Sequence, residues 1–258
     1  MVNLTNNNIV LKQFVLLLTF ILTISCAEKK YGVQKIVGKQ ININDKIQES
    51  AEIEKIIKPY REKIDADLNT VLSFAPETID KSGKWQTPMG NFLSDITLEK
   101  SNAVFEKRES KRIDFCLLNN GGIRSIIPKG NVTARTAYEV MPFENSTVVL
   151  AMPGRVILEI ADYIVSERKP HPLSGMTFTI GSDGKPTDIK INNQKLDETK
   201  IYYVVTSDYL ANGGDNMIFF KKSSQKFDLD YKLRNIIIDY FKSHKEIIAS
   251  TNQRITEL

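Results

Sequence analysis

From Ile53 to the C terminus, stretches with a helical spacing of apolar residues alternate with short β-branched runs, and this mixture restricts the chain to folds that combine helices and sheets. Apolar residues recur at three- and four-residue steps from Ile53 to Leu72, which predicts a long amphipathic helix with a bend at Pro59. The same spacing predicts further helices around residues 89–96, 156–164 and 231–244.

The β-branched and apolar runs predict strands at residues 113–118, 147–152, 176–180, 189–191 and 202–206. Some of these strands are separated by short turns and others by helices, and no segment repeats along the chain. We therefore expect an α+β domain in which a sheet is buried under helices, rather than a regular doubly wound sheet.

The N terminus has the pattern of an export signal. Lys12 is its one cation, an apolar run follows from Phe14 to Ile24, and Ser25 precedes Cys26. The run is too short to span a membrane, which takes about 20 apolar residues. The pattern resembles a bacterial lipoprotein signal, although Thr23 stands where such signals usually carry Leu.

We expect residues 1–25 to be a lipoprotein signal peptide and Cys26 to carry the lipid. The protein is then exported and anchored to the bacterial membrane, facing the periplasm or the cell surface. A soluble secreted protein with a spare thiol is the alternative. Residues 26–50 are polar and lack a sustained period, which is typical of a tether, and residues 51–258 are expected to form the folded domain.

Two further features exclude classes of function. The formal net charge of +4 is spread along the chain without a basic run, so we expect no nucleic-acid partner. Cys116 lies in an apolar, strand-like run, which indicates a buried, inert thiol rather than a nucleophile.

Three loops follow or precede the predicted strands and combine glycines with polar or aromatic residues. In the first, adjacent glycines permit close approach to a ligand, and Arg124 supplies a planar cation suited to phosphate or carboxylate. The other two each carry an aromatic ring, and paired rings can enclose a flat heterocycle. Taken alone, the first loop is equally a tight turn, and each ring could serve only to pack its loop.

The three loops contain, in this order, Asn119-Asn120-Gly121-Gly122-Ile123-Arg124, Met141-Pro142-Phe143 and Ala211-Asn212-Gly213-Gly214-Asp215. Together they resemble the C-terminal domain of the 5′-nucleotidase and UDP-sugar hydrolase family. The resemblance implies a four-layer α/β/β/α arrangement that holds the nucleoside, while a separate N-terminal domain hydrolyses the phosphate ester with two metal ions.

The resemblance also implies a set of binding residues. Tyr209 stands where the family frequently has Phe, and its ring keeps the face needed for stacking. Lys84 lies in a segment where relatives often carry arginine, so we expect looser phosphate selection and leave Lys84 out of the site. The implied contacts are Phe143 and Tyr209 around the base, Asp215 on the ribose hydroxyls, Asn119 at the base edge, Arg124 facing the phosphate or ribose, Asn145 at a base contact, and Gly175 leaving room beside the ring.

Hydrolysis by two metals needs several converging ligands. The chain has two histidines, His171 and His244, and neither has a partner at ligand spacing, so we interpret both as surface residues and expect no catalytic residue, metal or other cofactor in this chain. We therefore expect the chain to be the nucleotide-binding subunit of a split 5′-nucleotidase and not to be catalytic alone. Its expected partner is a separate metallophosphatase polypeptide that carries the divalent metals and docks over Arg124.

Two other functions are compatible with the sequence. The first is a surface lipoprotein that captures nucleosides or nucleotides without catalysis. The second is a decayed relative that uses the fold for adhesion and binds no nucleotide.

Overall fold

The computed structural model describes residues 4–23, 32–44 and 47–258, and the chain divides into two compact units, Met1–Ser50 and Ala51–Leu258. In the first unit, helix α1 spans Leu4–Thr23, and residues 32–44 form no regular structure and are exposed. None of the helices in the described ranges is long and apolar enough to cross a membrane. Cys26 and the predicted cleavage bond lie outside the described residues, so lipidation there stays a prediction.

The second unit contains helices and strands throughout. Its helices are α2 (Ala51–Asn69), α3 (Pro88–Glu109), α4 (Ala134–Val140), α5 (Gly154–Glu167), α6 (Asp208–Ala211) and α7 (Leu233–Ser243). Its strands are β1 (Val71–Ala75), β2 (Phe115–Leu117), β3 (Gly130–Thr133), β4 (Ser146–Pro153), β5 (Leu173–Ser174), β6 (Met176–Ile180), β7 (Pro186–Ile191), β8 (Gln194–Lys195), β9 (Ile201–Ser207), β10 (Gln225–Lys232) and β11 (Ile255–Glu257). Short 3-10 turns occupy Asn120–Gly122, Gly214–Asn216 and Ile218–Lys222.

A five-stranded sheet with the order β10-β4-β9-β2-β5 lies at the centre. Strand β4 pairs antiparallel with β10 and β9, whereas β2 runs parallel to β9 and antiparallel to β5. Side chains of a strand point alternately to the two faces. Accordingly, Val149 belongs to one core, with α3 and α7, while Val148 and Leu150 belong to another. Both faces of the sheet are therefore buried.

The second core joins the central sheet to α5 and to a four-stranded sheet with the order β11-β6-β7-β8. Helix α5 contributes its apolar face, including Ile157 and Ile160, and lies against both β4 and β7. From the smaller sheet, Met176, Phe178 and Ile180 of β6 point into the same core. The predicted α+β fold, with helices layered on sheets, is confirmed.

The predicted helices and strands are present, although several boundaries differ and some elements, including β1, β3, α4 and β10, were not predicted. The first helix ends at Asn69 rather than reaching Leu72, because the chain then extends as β1 and pairs with β3. None of the α2 side chains is buried, although the helix is amphipathic. The last helix begins at Leu233, two residues later than predicted, because the preceding residues complete β10.

Local signals explain where α3 begins. The Thr87 hydroxyl accepts a hydrogen bond from the Gly90 amide at 2.9 Å, which satisfies a donor that the first turn of a helix leaves free. Pro88 follows at the first helical position, where its fixed φ suits the helix and its missing N–H is not needed. Cys116 in β2 is fully buried, as predicted, and burial raises the pKa of its thiol far above the usual value.

A buried arginine ties the C-terminal strand to the rest of the unit. Arg254 precedes β11, and its guanidinium bonds to Asp95 of α3 at 2.6 Å, to the Ser94 hydroxyl at 2.9 Å and to the Leu173 carbonyl. The other Asp95 oxygen accepts a hydrogen bond from Ser174 at 2.6 Å. This network joins α3 and β5 to the chain end, and so links the two cores.

We predict that Arg254→Met lowers the free energy of unfolding by about 1–3 kcal/mol, because it leaves buried acceptors without their donor. The matched control is Lys222→Met, which removes a cation from the half-exposed ion pair with Glu159 and is expected to cost less than about 1 kcal/mol. Urea unfolding of both variants measures the difference. Equal losses would show that the Arg254 network adds no stability beyond that of a surface pair.

Candidate functional site

The topology of the central sheet brings the three glycine-containing or aromatic loops to one edge. Strands β2 and β9 are parallel neighbours, so the loops that follow them, residues 118–124 and 207–215, leave the sheet on the same side. Strand β4 is antiparallel to β9, and Thr147 near its start lies opposite Ser207 at the end of β9. The loop before β4, residues 141–145, therefore reaches the same edge.

The loops enclose a cleft of about 440 Å³. All the predicted binding residues except Gly175 line it. The lining consists of Asn119, Gly121, Gly122, Arg124, Phe143, Asn145, Tyr209 and Asp215.

Two other clefts of the second unit are as large. One, of about 460 Å³, contains Lys84, which is ion-paired with Glu257 at 2.5 Å. The other, of about 540 Å³, contains Arg254, which is paired with Asp95. In the loop cleft, by contrast, Arg124 donates a long hydrogen bond of 3.4 Å to the Gly121 carbonyl and has no carboxylate partner among the described residues. Its guanidinium is therefore available to an anionic ligand.

Asp215 connects the first loop to the third. Its carboxylate accepts hydrogen bonds from the Asn119 amide at 2.6 Å and from the Tyr209 hydroxyl at 2.8 Å. The Asp215 amide in turn donates to the Tyr209 hydroxyl oxygen at 3.2 Å. The hydrogen bond to the carboxylate raises the pKa of the Tyr209 phenol, so the hydroxyl stays a donor at neutral pH. The carboxylate is thus fixed at the cleft before any ligand arrives.

The two aromatic rings of the cleft remain accessible. Phe143 is 43% exposed and Tyr209 46% exposed, and neither stacks on another ring within the described part of the chain. Gly214 explains how Tyr209 can lie over its own loop, because a Cβ at that position would meet the Tyr209 ring at 2.4 Å. The glycine is therefore required for the position of the ring.

The loop that carries Phe143 is anchored by α7. Arg234, at the start of that helix and almost fully buried, donates to the Pro142 carbonyl at 3.1 Å and forms an ion pair with Glu144. Lys232 also donates to the Glu144 carbonyl, at 2.6 Å. Arg234 was not predicted from the sequence because it lies far along the chain from the loop and outside any glycine-containing motif.

The structure does not place Gly175 beside either ring. Gly175 lies between β5 and β6, in the cleft that contains Arg254. Its φ is 83°, and a Cβ there would lie 2.5 Å from the Asp114 carbonyl oxygen and 3.0 Å from the Phe115 Cα. Glycine is needed at position 175 because the chain passes close to β2 between the two sheets. This structural role corrects the assignment of Gly175 as a binding residue.

His171 is not a surface residue, contrary to the prediction. The turn that contains it folds under the first loop, where His171 is only 3% exposed and its Nδ1 accepts a hydrogen bond from the Asn120 amide at 3.3 Å. Burial lowers the pKa of the imidazole to about 4, so it is neutral and supports the loop. His244 is part-exposed, and its ring stacks on Tyr240 with centroids 3.9 Å apart.

The charged side chains that line the cleft are Arg124 and Asp215. Within residues 4–23, 32–44 and 47–258, no group of three or more His, Cys, Asp or Glu side chains is arranged to hold a metal ion. The cleft combines two accessible ring faces, amides, one fixed carboxylate and one cation. Such a site suits a ligand with a flat ring, hydroxyl groups and a negative charge.

Comparisons with known proteins find similar sequences and structures. The family model described as 5′-nucleotidase, C-terminal domain, matches residues 67–222. Protein UshA of Escherichia coli is 27% identical over 198 residues, which cover 73% of this chain and 34% of UshA. The 5′-nucleotidase of Rattus norvegicus is 23% identical over 252 residues, which cover 88% of this chain and 44% of that protein.

Solved structures show the same fold. The 5′-nucleotidase precursor of Thermus thermophilus superposes with a TM-score of 0.68 and 25% identity, covering 80% of this chain and 43% of that one. The putative 5′-nucleotidase of Staphylococcus aureus gives a TM-score of 0.63 at 16% identity, covering 84% and 46%. The chain spans less than half the length of each of these four proteins.

We predict that His171 makes stability depend on pH. Its pKa is lowered from 6.5 to about 4 in the folded state, so the unfolded state binds more protons between these values. The contribution of neutral His171 to the free energy of unfolding, up to about 3 kcal/mol, is fully present above about pH 6.5 and is lost as the pH falls towards 4. Urea unfolding between pH 7 and pH 4.5 should show a flatter profile for His171→Asn than for the wild type.

The control for this prediction is His244→Asn, which removes the other histidine on a different element. A profile for His171→Asn that falls as steeply as that of the wild type would assign the acid sensitivity to other groups.

Proposed function

The protein belongs to the 5′-nucleotidase C-terminal domain family, and on that premise we propose that its loop cleft binds a nucleotide or nucleoside. One observation carries the proposal. Phe143, Tyr209 and Asp215, which come from two loops far apart in the sequence, line one cleft. Each of them supplies a different part of what a nucleoside requires.

The base is held by the two rings. Phe143 and Tyr209 offer accessible faces on which a heterocycle stacks, worth about 1–3 kcal/mol per base. Asn119 and Asn145 lie in the same lining and can reach a base edge. The Asn119 amide donates one hydrogen to Asp215, so the carbonyl oxygen and the second amide hydrogen of Asn119 can still bind a ligand.

The sugar is held by Asp215. An ionised carboxylate has about four lone-pair sites. Asn119 and Tyr209 each occupy one, on different oxygens, so both oxygens can still accept a ribose hydroxyl. Because the two protein donors fix the carboxylate in advance, little ordering is needed when the ligand binds.

The phosphate end is assigned to Arg124. Its planar fork matches two phosphate oxygens, and no carboxylate of the described residues competes for it. Lys84 takes no part, since its ammonium lies in a different cleft and is paired with Glu257.

We predict that Phe143→Ala, Tyr209→Ala and Asp215→Ala each weaken AMP binding by about 1–3 kcal/mol, roughly 5- to 150-fold in Kd, without unfolding the domain. Calorimetry measures the affinities and circular dichroism the fold. The matched control is Tyr60→Ala, which removes an exposed ring on α2 and should leave binding unchanged. Wild-type affinity in all three cleft variants would contradict nucleotide binding in this cleft.

We further propose that hydrolysis is completed by a separate metallophosphatase polypeptide, which carries divalent metals and docks over Arg124. Relatives of this chain are named 5′-nucleotidase and nucleotide phosphoesterase, and the chain aligns with only part of each. In the cleft, the one carboxylate is already hydrogen-bonded to two side chains. Such a lining suits holding a nucleotide better than assembling the several ligands of a two-metal centre.

The expected outcome of mixing the protein with an exported metallophosphatase of the same organism, in the presence of a divalent metal, is faster phosphate release from AMP than the phosphatase gives alone. Phosphate assays on the separate and mixed proteins measure the gain. Addition of the Phe143→Ala variant should give a smaller gain, since it binds the base poorly. A rate equal to that of the phosphatase alone would contradict the split enzyme.

The second candidate is a lipoprotein that captures nucleosides without catalysis. One observation favours capture: this single chain supplies all the groups that line the cleft, namely the rings, the carboxylate, the amides and the cation. Tight binding of adenosine that needs neither phosphate nor a second protein would support capture. Under either function we propose that the protein is exported and anchored through Cys26, as its N-terminal pattern indicates.

A further inference from the structure

Tyr163 lies outside the three loops and outside the lining of the cleft, yet it contacts the carboxylate-bearing residue directly. It projects from α5, and its hydroxyl donates to the Asp215 backbone carbonyl at 2.6 Å. Its ring packs edge-on against Phe219, with centroids 5.4 Å apart, and lies 5.5 Å from the ring of buried His171. Packing of the Tyr163 ring against Phe219 and His171 therefore fixes the position of its hydroxyl.

Asp215 has a left-handed backbone conformation. Its φ and ψ are 50° and 32°, and Asn216 after it has φ 59°. Left-handed conformations cost most non-glycine residues roughly 1–2 kcal/mol, Asp and Asn adopt them more readily than others, and surrounding contacts help to fix them. The Tyr163 hydroxyl provides such a contact from a different helix.

We propose that Tyr163 is a positioning residue, which holds Asp215 in the left-handed conformation and so presents its carboxylate to the sugar. Tyr163 thereby sets the preference of the cleft for ligands that carry ribose hydroxyls. This inference rests on the proposed function of the cleft.

The chemistry of the phenol fits this role. Burial raises the pKa of the Tyr163 hydroxyl to about 12, so the group remains a protonated donor throughout the physiological range. Its acceptor is a backbone carbonyl, which is present at every pH. The support therefore does not depend on the charge of the Asp215 carboxylate.

Of the two rings proposed to hold the base, Tyr209 is hydrogen-bonded to Asp215, whereas Phe143 is not. Phe143 is mounted on a loop that Arg234 of α7 anchors, with no contribution from Tyr163. If the Tyr163 hydroxyl is removed, Asp215 can relax to the more favourable right-handed conformation. The carboxylate then turns away from Asn119 and Tyr209, while the Phe143 face stays in place.

The test is Tyr163→Phe, which removes one oxygen and keeps the ring between Phe219 and His171. Calorimetry with adenosine and with 2′,3′-dideoxyadenosine compares ligands that share a base and differ in the sugar hydroxyls. We expect the wild type to prefer adenosine. In the variant, adenosine affinity should fall about 5- to 10-fold, as for loss of one hydrogen bond, and dideoxyadenosine affinity should fall clearly less, because the Phe143 face stays in place.

The matched control is Tyr202→Phe. That change removes the hydroxyl of a buried tyrosine, which accepts a hydrogen bond from the Asp197 amide at 3.0 Å, at the opposite end of β9 from the cleft. It should leave the ratio of the two affinities at the wild-type value. Thermal unfolding of both variants shows whether either loses stability.

A ratio in Tyr163→Phe equal to that of the wild type would overturn the positioning role while nucleoside binding stands. Equal weakening of both ligands would overturn it too, because it would assign Tyr163 to general stability. If the wild type bound neither ligand, the proposed function itself would fail.

Discussion

The candidate site depends on how three strands of the central sheet pair. Strands β2 and β9 are parallel neighbours and β4 is antiparallel to β9, so the loops after β2 and β9 and the loop before β4 meet at one sheet edge. Both faces of this sheet are buried in apolar cores, which fixes the register of the strands. Residues as far apart in the chain as Asn119 and Asp215 are brought within hydrogen-bonding distance as a result.

Within that frame, the side chains of the cleft are fixed to different extents. The Asp215 carboxylate and the Asn119 amide are held by short hydrogen bonds, whereas the Phe143 and Tyr209 rings keep almost half of their surface free. This division suits recognition, because polar groups need fixed directions while an aromatic face tolerates some variation in the ligand. The cleft thus combines a carboxylate held in a fixed direction with two accessible ring faces.

The sequence was sufficient to predict the cleft residues that lie within the three loop motifs themselves. The strands around Thr147 and Tyr202 were recognisable because their apolar runs are continuous, and the loops beside them because glycine and aromatic residues have no role in such runs. Residues that act through a partner distant in sequence were not predictable. Arg234 and Tyr163 look like ordinary helix residues until the fold places them beside the loops.

The errors have physical causes of the same kind. Gly175 was assigned to the cleft by resemblance alone, whereas its positive φ and its closeness to β2 show that it serves the passage between the two sheets. His171 was interpreted as exposed because its neighbours Pro170 and Pro172 are typical of turns. A turn can nevertheless be covered by another loop, and periodicity carries no information on that packing.

Residues 141–145 are anchored to α7 by Arg234 and continue into β4, which pairs with β9, so packed elements behind the cleft fix the position of each wall. Phe143 lies on the loop that Arg234 of α7 anchors, and α7 packs against α3, whereas Tyr209 lies in α6, directly after β9. The packing of buried residues, and not only the conformation of the loops, therefore determines the width of the cleft. Substitutions in the buried interface of α3 and α7 can therefore change the width of the cleft without altering any residue that lines it.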